Sequence, residues 1–285
     1  MNIAQLKGRF AMFILILASC LLSLLVAQDD AYYASIDSSA TDDDLKSQLK
    51  ALVNPHTVLD YDSVWAAMND LDTLLPSYPC NPQNSSQIPD IYSAYCWDPS
   101  KTGESTGGGG ECGNYAKEGD CFNREHIWPK SWFGGFDYGK NAQTDLFELW
   151  GTDGYVNGLR GNLPIGIVST LTYNSTNGCL IGTCSSSTGY TGSCFEPPAV
   201  FKGVIARSYF YLATAYWNEW DCCDTDGVDG SDIKPWMENI LRSWHETYPV
   251  SDFEISRNNK IYSTYQHNRN PFIDNPQWVS QISDF

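Results

Sequence analysis

The run Cys121-Phe122-Asn123-Arg124-Glu125-His126-Ile127-Trp128-Pro129-Lys130-Ser131-Trp132 places a base, a carboxylate and two cations within seven residues. His126 is one of only four histidines. A neutral imidazole can take a proton from water at pH 7. Glu125 offers oxygen to a hard divalent cation such as Mg²⁺, which keeps several waters and needs few protein ligands. Further on, Asp145 to Asn162 carries Asn157, a second oxygen donor, and Arg160, a further cation. These are the parts of a metal-assisted hydrolysis. Two blander alternatives weigh less in this context, a structural histidine and an asparagine that caps a turn beside Gly158; for the two arginines an ordinary surface position weighs the same as a functional one. Trp128 and Trp132 read as core rather than as stacking platforms.

These groups need elements to hold them. Strand signals are short, the best around residues 125–128 and 145–147. Adjacent strand residues point to opposite faces. Glu125 and His126 can therefore share a site only if the strand ends or bends there. A Gly-rich turn capped by Thr152 or Asp153 enters a short helix that carries Asn157 and Arg160. Helices are predicted after Thr41, with Leu45, Leu49 and Leu52 on one face, and after Asp62. Others are expected over 201–218, 233–246 (with Pro235 in its first turn), 250–265, and briefly at DNPQWVSQI. Residues 76–120 read as loop. The fold class is α+β and α-rich.

The chain has 285 residues, 42% of them hydrophobic, and a net charge of −17. That excludes a disordered tail, a coiled coil and a collagen-like repeat. A protein this acidic is not held to nucleic acid by its overall field, so phosphate chemistry needs a local site. Residues 1–27 read as a secretory signal cleaved near Ala27, with a lipid anchor at Cys20 the less favoured reading. The cysteines after it fit a disulfide-bearing secreted chain. Cys112 and Cys121 bracket a short loop and are candidates to pair. Cys179, Cys184 and Cys194 suggest stapled loops. The acidic run 221–232 has the composition of a structural Ca²⁺ loop without EF-hand spacing, and a solvated loop is the blander reading. No CxxC or HExxH motif favours zinc or a metalloprotease.

REHIWPKSW followed by TDGYVNGLRGN resembles the secreted endonuclease I family. YYASI, HTVLDYDSVW, IPDIYSAY, EPPAVFKGVIARSYFYLATAY and RNNKIYSTYQHNRNPFIDNPQW resemble further family blocks. The resemblance implies one nuclease domain over 28–285. It would comprise a helical part at 28–75, a ββα-metal (His-Me finger) core at 121–162 and a helical part at 196–285, with disulfide-stapled loops. It implies that His126 activates water, with Arg124 and Asp145 in the catalytic set, Asp145 orienting the imidazole. Glu125 and Asn157 would hold Mg²⁺, with Mn²⁺ or Ca²⁺ as alternatives. The metal would stabilise the leaving 3′ oxygen and give 5′-phosphate ends. The substrate would be DNA, and RNA as a second substrate, bound through the backbone by Lys130, Lys140 and Arg160. The enzyme would be secreted and monomeric. Phe147, Glu148 and Gly151 stand where the family commonly has His and Pro, which makes Glu148 a further candidate ligand. The competing expectation is a catalytically faded member that acts as an extracellular binding or adhesion protein.

Overall fold

The computed structural model describes residues 31–73, 87–93, 95–99, 111–112, 114–135, 140–176, 178–220 and 222–285. The expected signal segment with Cys20, and Cys80, lie outside the described residues. The chain divides into two units, 1–40 and 41–285. In the first, Tyr32 and Tyr33 meet edge to face at 4.8 Å, and Asp37 accepts from the Ser39 amide at 2.9 Å.

The second unit is α+β, with helices and small antiparallel sheets. Helix α1 (Asp42–Val53) starts on three aspartates and buries Leu45, Leu49 and Val53, which places acids at the positive helix end. Helix α2 (Ser63–Asp72) buries Val64, Ala67, Met68 and Leu71, an i, i+3, i+4, i+7 stripe. Strands β1 (Ile88–Pro89) and β2 (Cys96–Trp97) form a small ladder. Strand β3 (Phe122–His126) pairs antiparallel with β4 (Leu149–Asp153), setting Phe122 opposite Asp153 and His126 opposite Leu149. Helix α3 (Gly154–Arg160) follows β4 without a loop. Its cap is Asp153, whose Oδ1 accepts from the amides of Tyr155 at 2.8 Å and Val156 at 3.0 Å. Thr152, the other candidate cap, donates instead to Asp90 at 3.0 Å.

The second strand starts later than expected. Asp145 accepts the Phe147 amide on its side chain at 2.9 Å and the Glu148 amide on its carbonyl at 3.0 Å. Residues 145–148 are thereby wound into a turn, as a short carboxylate often does. Buried Asp90 fixes the neighbouring segment. It takes the Tyr92 and Ser93 amides, the Ser93 hydroxyl, the Trp97 indole and the Asp153 amide.

Residues 168–196 form a three-stranded sheet where loops were expected: β5 (Val168–Asn174), β6 (Leu180–Cys184) and β7 (Ser193–Glu196). β5 is exposed along most of its length, so no alternation of apolar and polar residues marks it. Cys184–Cys194 staples β6 to β7, Cys112–Cys121 is bonded, and Cys96 is disulfide-bonded as well. Cys179 is a buried free thiol. Helix α4 (Lys202–Ala215) is buried from Gly203 onward, matching its all-round apolar sequence. Helix α5 (Pro235–Thr247) begins on Pro235. Helix α6 (Asp252–Lys260) opens on a Ser251/Glu254 capping box and runs into a π turn at Ile261–Tyr265. Among the described residues no helix is long and apolar enough to cross a membrane.

The described carboxylates of the acidic run find other partners. Among the described residues no group of three His, Cys, Asp or Glu side chains could hold a metal ion. Asp224 pairs instead with Lys234 at 2.5 Å, and Asp226 accepts the Tyr190 hydroxyl at 2.7 Å.

The Cys112–Cys121 disulfide packs on the start of α3. A Cβ on Gly154 would sit 2.6 Å from Cys112 Sγ and 2.7 Å from the Tyr115 ring. Gly154→Ala is therefore expected to destabilise the fold by about 1–3 kcal/mol through overpacking. A thermal melt reads this directly, and an unchanged midpoint would show that the clasp gives way freely.

Candidate active site

Strand β3 stops at His126, the arrangement needed for neighbouring residues to serve one site. Glu125, His126 and Asn157 line the same cavity of about 370 Å³, together with Tyr61, Arg124, Lys130 and Ser131.

His126 is nearly buried and its Nε2 lies 3.1 Å from the Gln143 carbonyl. A carbonyl can only accept, so Nε2 carries the proton and, in the neutral ring, Nδ1 keeps its lone pair. Burial pushes the imidazole pKa down to about 3, helped by Lys130, Arg124 and Arg160 and opposed by the Gln143 bond. The ring is therefore a neutral base with a fixed tautomer at pH 7.

Glu125 Oε1 accepts the Tyr92 hydroxyl at 2.7 Å and Arg160 Nη1 at 2.9 Å. Oε2 is engaged by neither. Burial raises the carboxyl to about 7 against the pull of Arg160 and Tyr92. Asn157 donates from Nδ2 to Asn123 Oδ1 at 2.7 Å and to the Arg124 carbonyl at 3.3 Å. Both amide hydrogens are thereby used, and Oδ1 is left as the group for a cation.

The other expected residues divide. Arg160 lines the cavity, but it is 1% exposed and its charge is committed to buried partners. Its guanidinium bonds Glu125, the His126 carbonyl at 3.1 Å and the Ile127 carbonyl at 2.6 Å. Burial demands such partners for a charge. Lys140 is exposed and does not line the cavity. Asp145 does not touch the imidazole. It is held by the hydroxyls of Tyr211 at 2.8 Å and Tyr216 at 3.0 Å and by the Gln266 amide. The orienting group is the Gln143 carbonyl. Glu148 is fully buried outside the cavity, with Oε2 on the Trp128 amide at 3.0 Å. Burial raises its carboxyl well above the usual range, which disfavours the ionised form. Arg124 stacks 3.6 Å above the Tyr61 ring and donates to the Tyr61 carbonyl. Lys130 Nζ lies 5.7 Å from the same ring. Trp128 and Trp132 are core, as expected.

The donor set fits a hard cation. It offers a carboxylate and an amide oxygen whose nitrogen is committed, in a cavity open enough for water to supply the remaining ligands.

Residues 41–277 match the sequence profile of endonuclease I. The chain belongs to the endonuclease I family. An extracellular ribonuclease of Bacillus subtilis (strain 168) is 32% identical to it over 260 residues, 90% of this chain and 79% of the relative. An extracellular ribonuclease of Bacillus amyloliquefaciens matches over the same shares at 32%. Endonuclease-1 of Buchnera aphidicola subsp. Baizongia pistaciae is 28% identical over 138 residues, 48% of this chain and 49% of the relative. This endonuclease I family member is a nuclease, a hydrolase acting on nucleic acid.

Four contributors to the candidate site escaped the sequence reading. Tyr92 and Tyr61 lie in family-like blocks, IPDIYSAY and HTVLDYDSVW, far from the histidine. Asn123 stands inside the central run without a charge to mark it. Gln143 acts through its backbone, which no side-chain pattern reveals.

Proposed function

We propose that this nuclease is a secreted, sequence-nonspecific endonuclease that hydrolyses phosphodiester bonds of DNA and RNA. On this reading β3, β4 and α3 form a ββα-metal core. The observation that carries it is one cavity lined by a neutral, tautomer-fixed His126, the Glu125 carboxyl and the Asn157 amide. His126 Nδ1 takes the proton from the attacking water. Glu125 and Asn157 would hold Mg²⁺, which when bound supplies positive charge to the leaving 3′ oxygen. That bond cleavage leaves 5′-phosphate ends. Arg160 and Tyr92 keep the Glu125 carboxylate in place. The names of the Bacillus relatives support RNA as a substrate and an extracellular setting. The disulfides and the apolar N-terminal run also support secretion. The cavity wall offers cations suited to phosphate, so recognition rests on phosphate and sugar contacts.

Plasmid DNA and structured RNA, incubated with the oxidised protein and Mg²⁺, Mn²⁺ or Ca²⁺, test this. Both are expected to be degraded with Mg²⁺ and to survive in chelator. Intact substrates with all three ions reject the reading.

Cation binding should depend on pH through Glu125. Its carboxyl is protonated below about 7, and a ligand must be ionised to bind metal. Apparent Mg²⁺ affinity is therefore expected to fall by up to about tenfold per pH unit below that value. At pH 6 binding should release close to one proton, seen as a buffer-dependent heat in calorimetry. His126 titrates near 3 and contributes nothing in this range. A heat independent of buffer would remove Glu125 from the ligand set.

A further inference from the structure

We propose that Tyr61 is a positioning residue that braces Arg124 and Lys130 as a two-cation clamp for the phosphates flanking the cleaved bond. This rests on the nuclease site read above. Tyr61 comes from the segment between α1 and α2, far in sequence from the strand it faces. Its ring lies nearly parallel to the imidazole of His126, at 15° and 6.4 Å. The Arg124 guanidinium sits 3.6 Å from the centroid of the Tyr61 ring, is 4.9 Å from the Trp65 ring, and donates to the Tyr61 carbonyl. Lys130 Nζ is 5.7 Å from the same Tyr61 centroid. All except Trp65 line the cavity with Glu125 and Asn157.

The chemistry requires such a device. The chain carries a net charge of −17, so its field opposes a polyanion. The buried Arg160 is tied to Glu125 and to backbone carbonyls. Among the described residues, Arg124 and Lys130 are the other cations on the cavity wall. A long cation that hangs free loses rotamer entropy when it grips a phosphate. Stacking on an aromatic face holds a guanidinium in place without using up its charge. Half-buried Arg124, held against the Tyr61 ring and near that of Trp65, is thus pre-set beside the reacting centre, and Lys130 reaches the same ring from the turn after β3.

Binding of a fluorescein-labelled single-stranded oligonucleotide, followed by anisotropy in chelator so that nothing is cut, tests the clamp. Tyr61→Ala is expected to weaken binding by about tenfold, and Tyr61→Phe, which keeps the ring, by no more than about twofold. Arg124→Ala should reduce the slope of log affinity against log salt by about 0.7, the value for one phosphate contact on a single strand. In the Arg124→Ala background, Tyr61→Ala should add less than about twofold, because its effect passes through the guanidinium. Full additivity of the two substitutions overturns the proposal, as does wild-type affinity in Tyr61→Ala. A Tyr61→Phe protein as weak as Tyr61→Ala overturns it too. Should Tyr61→Ala fail to fold, Tyr61→Leu is read by the same criteria. If wild-type protein binds with this pattern yet cuts nothing with Mg²⁺, the clamp stands and the reading of the nuclease site falls.

Discussion

His126→Ala is expected to lower kcat by about 10²- to 10⁴-fold, the usual contribution of a positioned general base. The substitution removes the lone pair on Nδ1 and the bond to the Gln143 carbonyl. It leaves Glu125, Asn157 and their partners untouched, so Mg²⁺ affinity should stay within about twofold of wild type, since neither oxygen donor moves. That pairing separates a base from a ligand: Asn157→Ala should lose Mg²⁺ affinity and activity together. Single-turnover digestion alongside calorimetry reads both quantities. A His126→Ala protein that retains more than a tenth of wild-type kcat would mean that water is activated elsewhere.

Arg160→Ala should be the most destabilising single change at the site, at about 3–5 kcal/mol, because it strips one partner from a buried ion pair. Glu125 would stay buried without its cation, and the His126 and Ile127 carbonyls would lose a donor. An exposed pair would give under about 1 kcal/mol, so the size of the effect decides between a structural strut and a surface cation. Urea unfolding is the measurement, read as a lower midpoint at constant slope. Glu125→Gln in the Arg160→Ala background should recover part of the loss, because a carboxyl that must otherwise take up a proton to stay buried is replaced by a neutral amide. A loss of less than about 1 kcal/mol would return Arg160 to the pool of substrate-binding cations.

The helices were legible because their buried stripes repeat at helical spacing, as at Val64, Ala67, Met68 and Leu71. Strand β3 was legible from its chemistry-bearing run and β4 only approximately, because the Asp145 side chain turns the chain before Leu149. The sheet of β5, β6 and β7 left no trace in the pattern, its first strand being mostly exposed. Glu125, His126 and Asn157 stand out by residue type and by resemblance, and one cavity gathers them. The fate of Arg160 was not legible. Its partners Glu125 and Tyr209 lie 35 and 49 residues away, and nothing local distinguishes a buried guanidinium from a solvated one. The partners of Asp145 were not legible for the same reason, since the tyrosines that bond it arrive on α4 and just beyond its end.

The amide at position 157 has a consequence for what evolution or an engineer could install there. A carboxylate would attract a divalent cation more strongly than a neutral oxygen. Yet Asn157 faces two acceptors, Asn123 Oδ1 and the Arg124 carbonyl, and Asp would bring oxygen against oxygen at both. Trading the neutral side chain for a charged one would thus need a compensating donor at 123, so the two positions can only be redesigned as a pair.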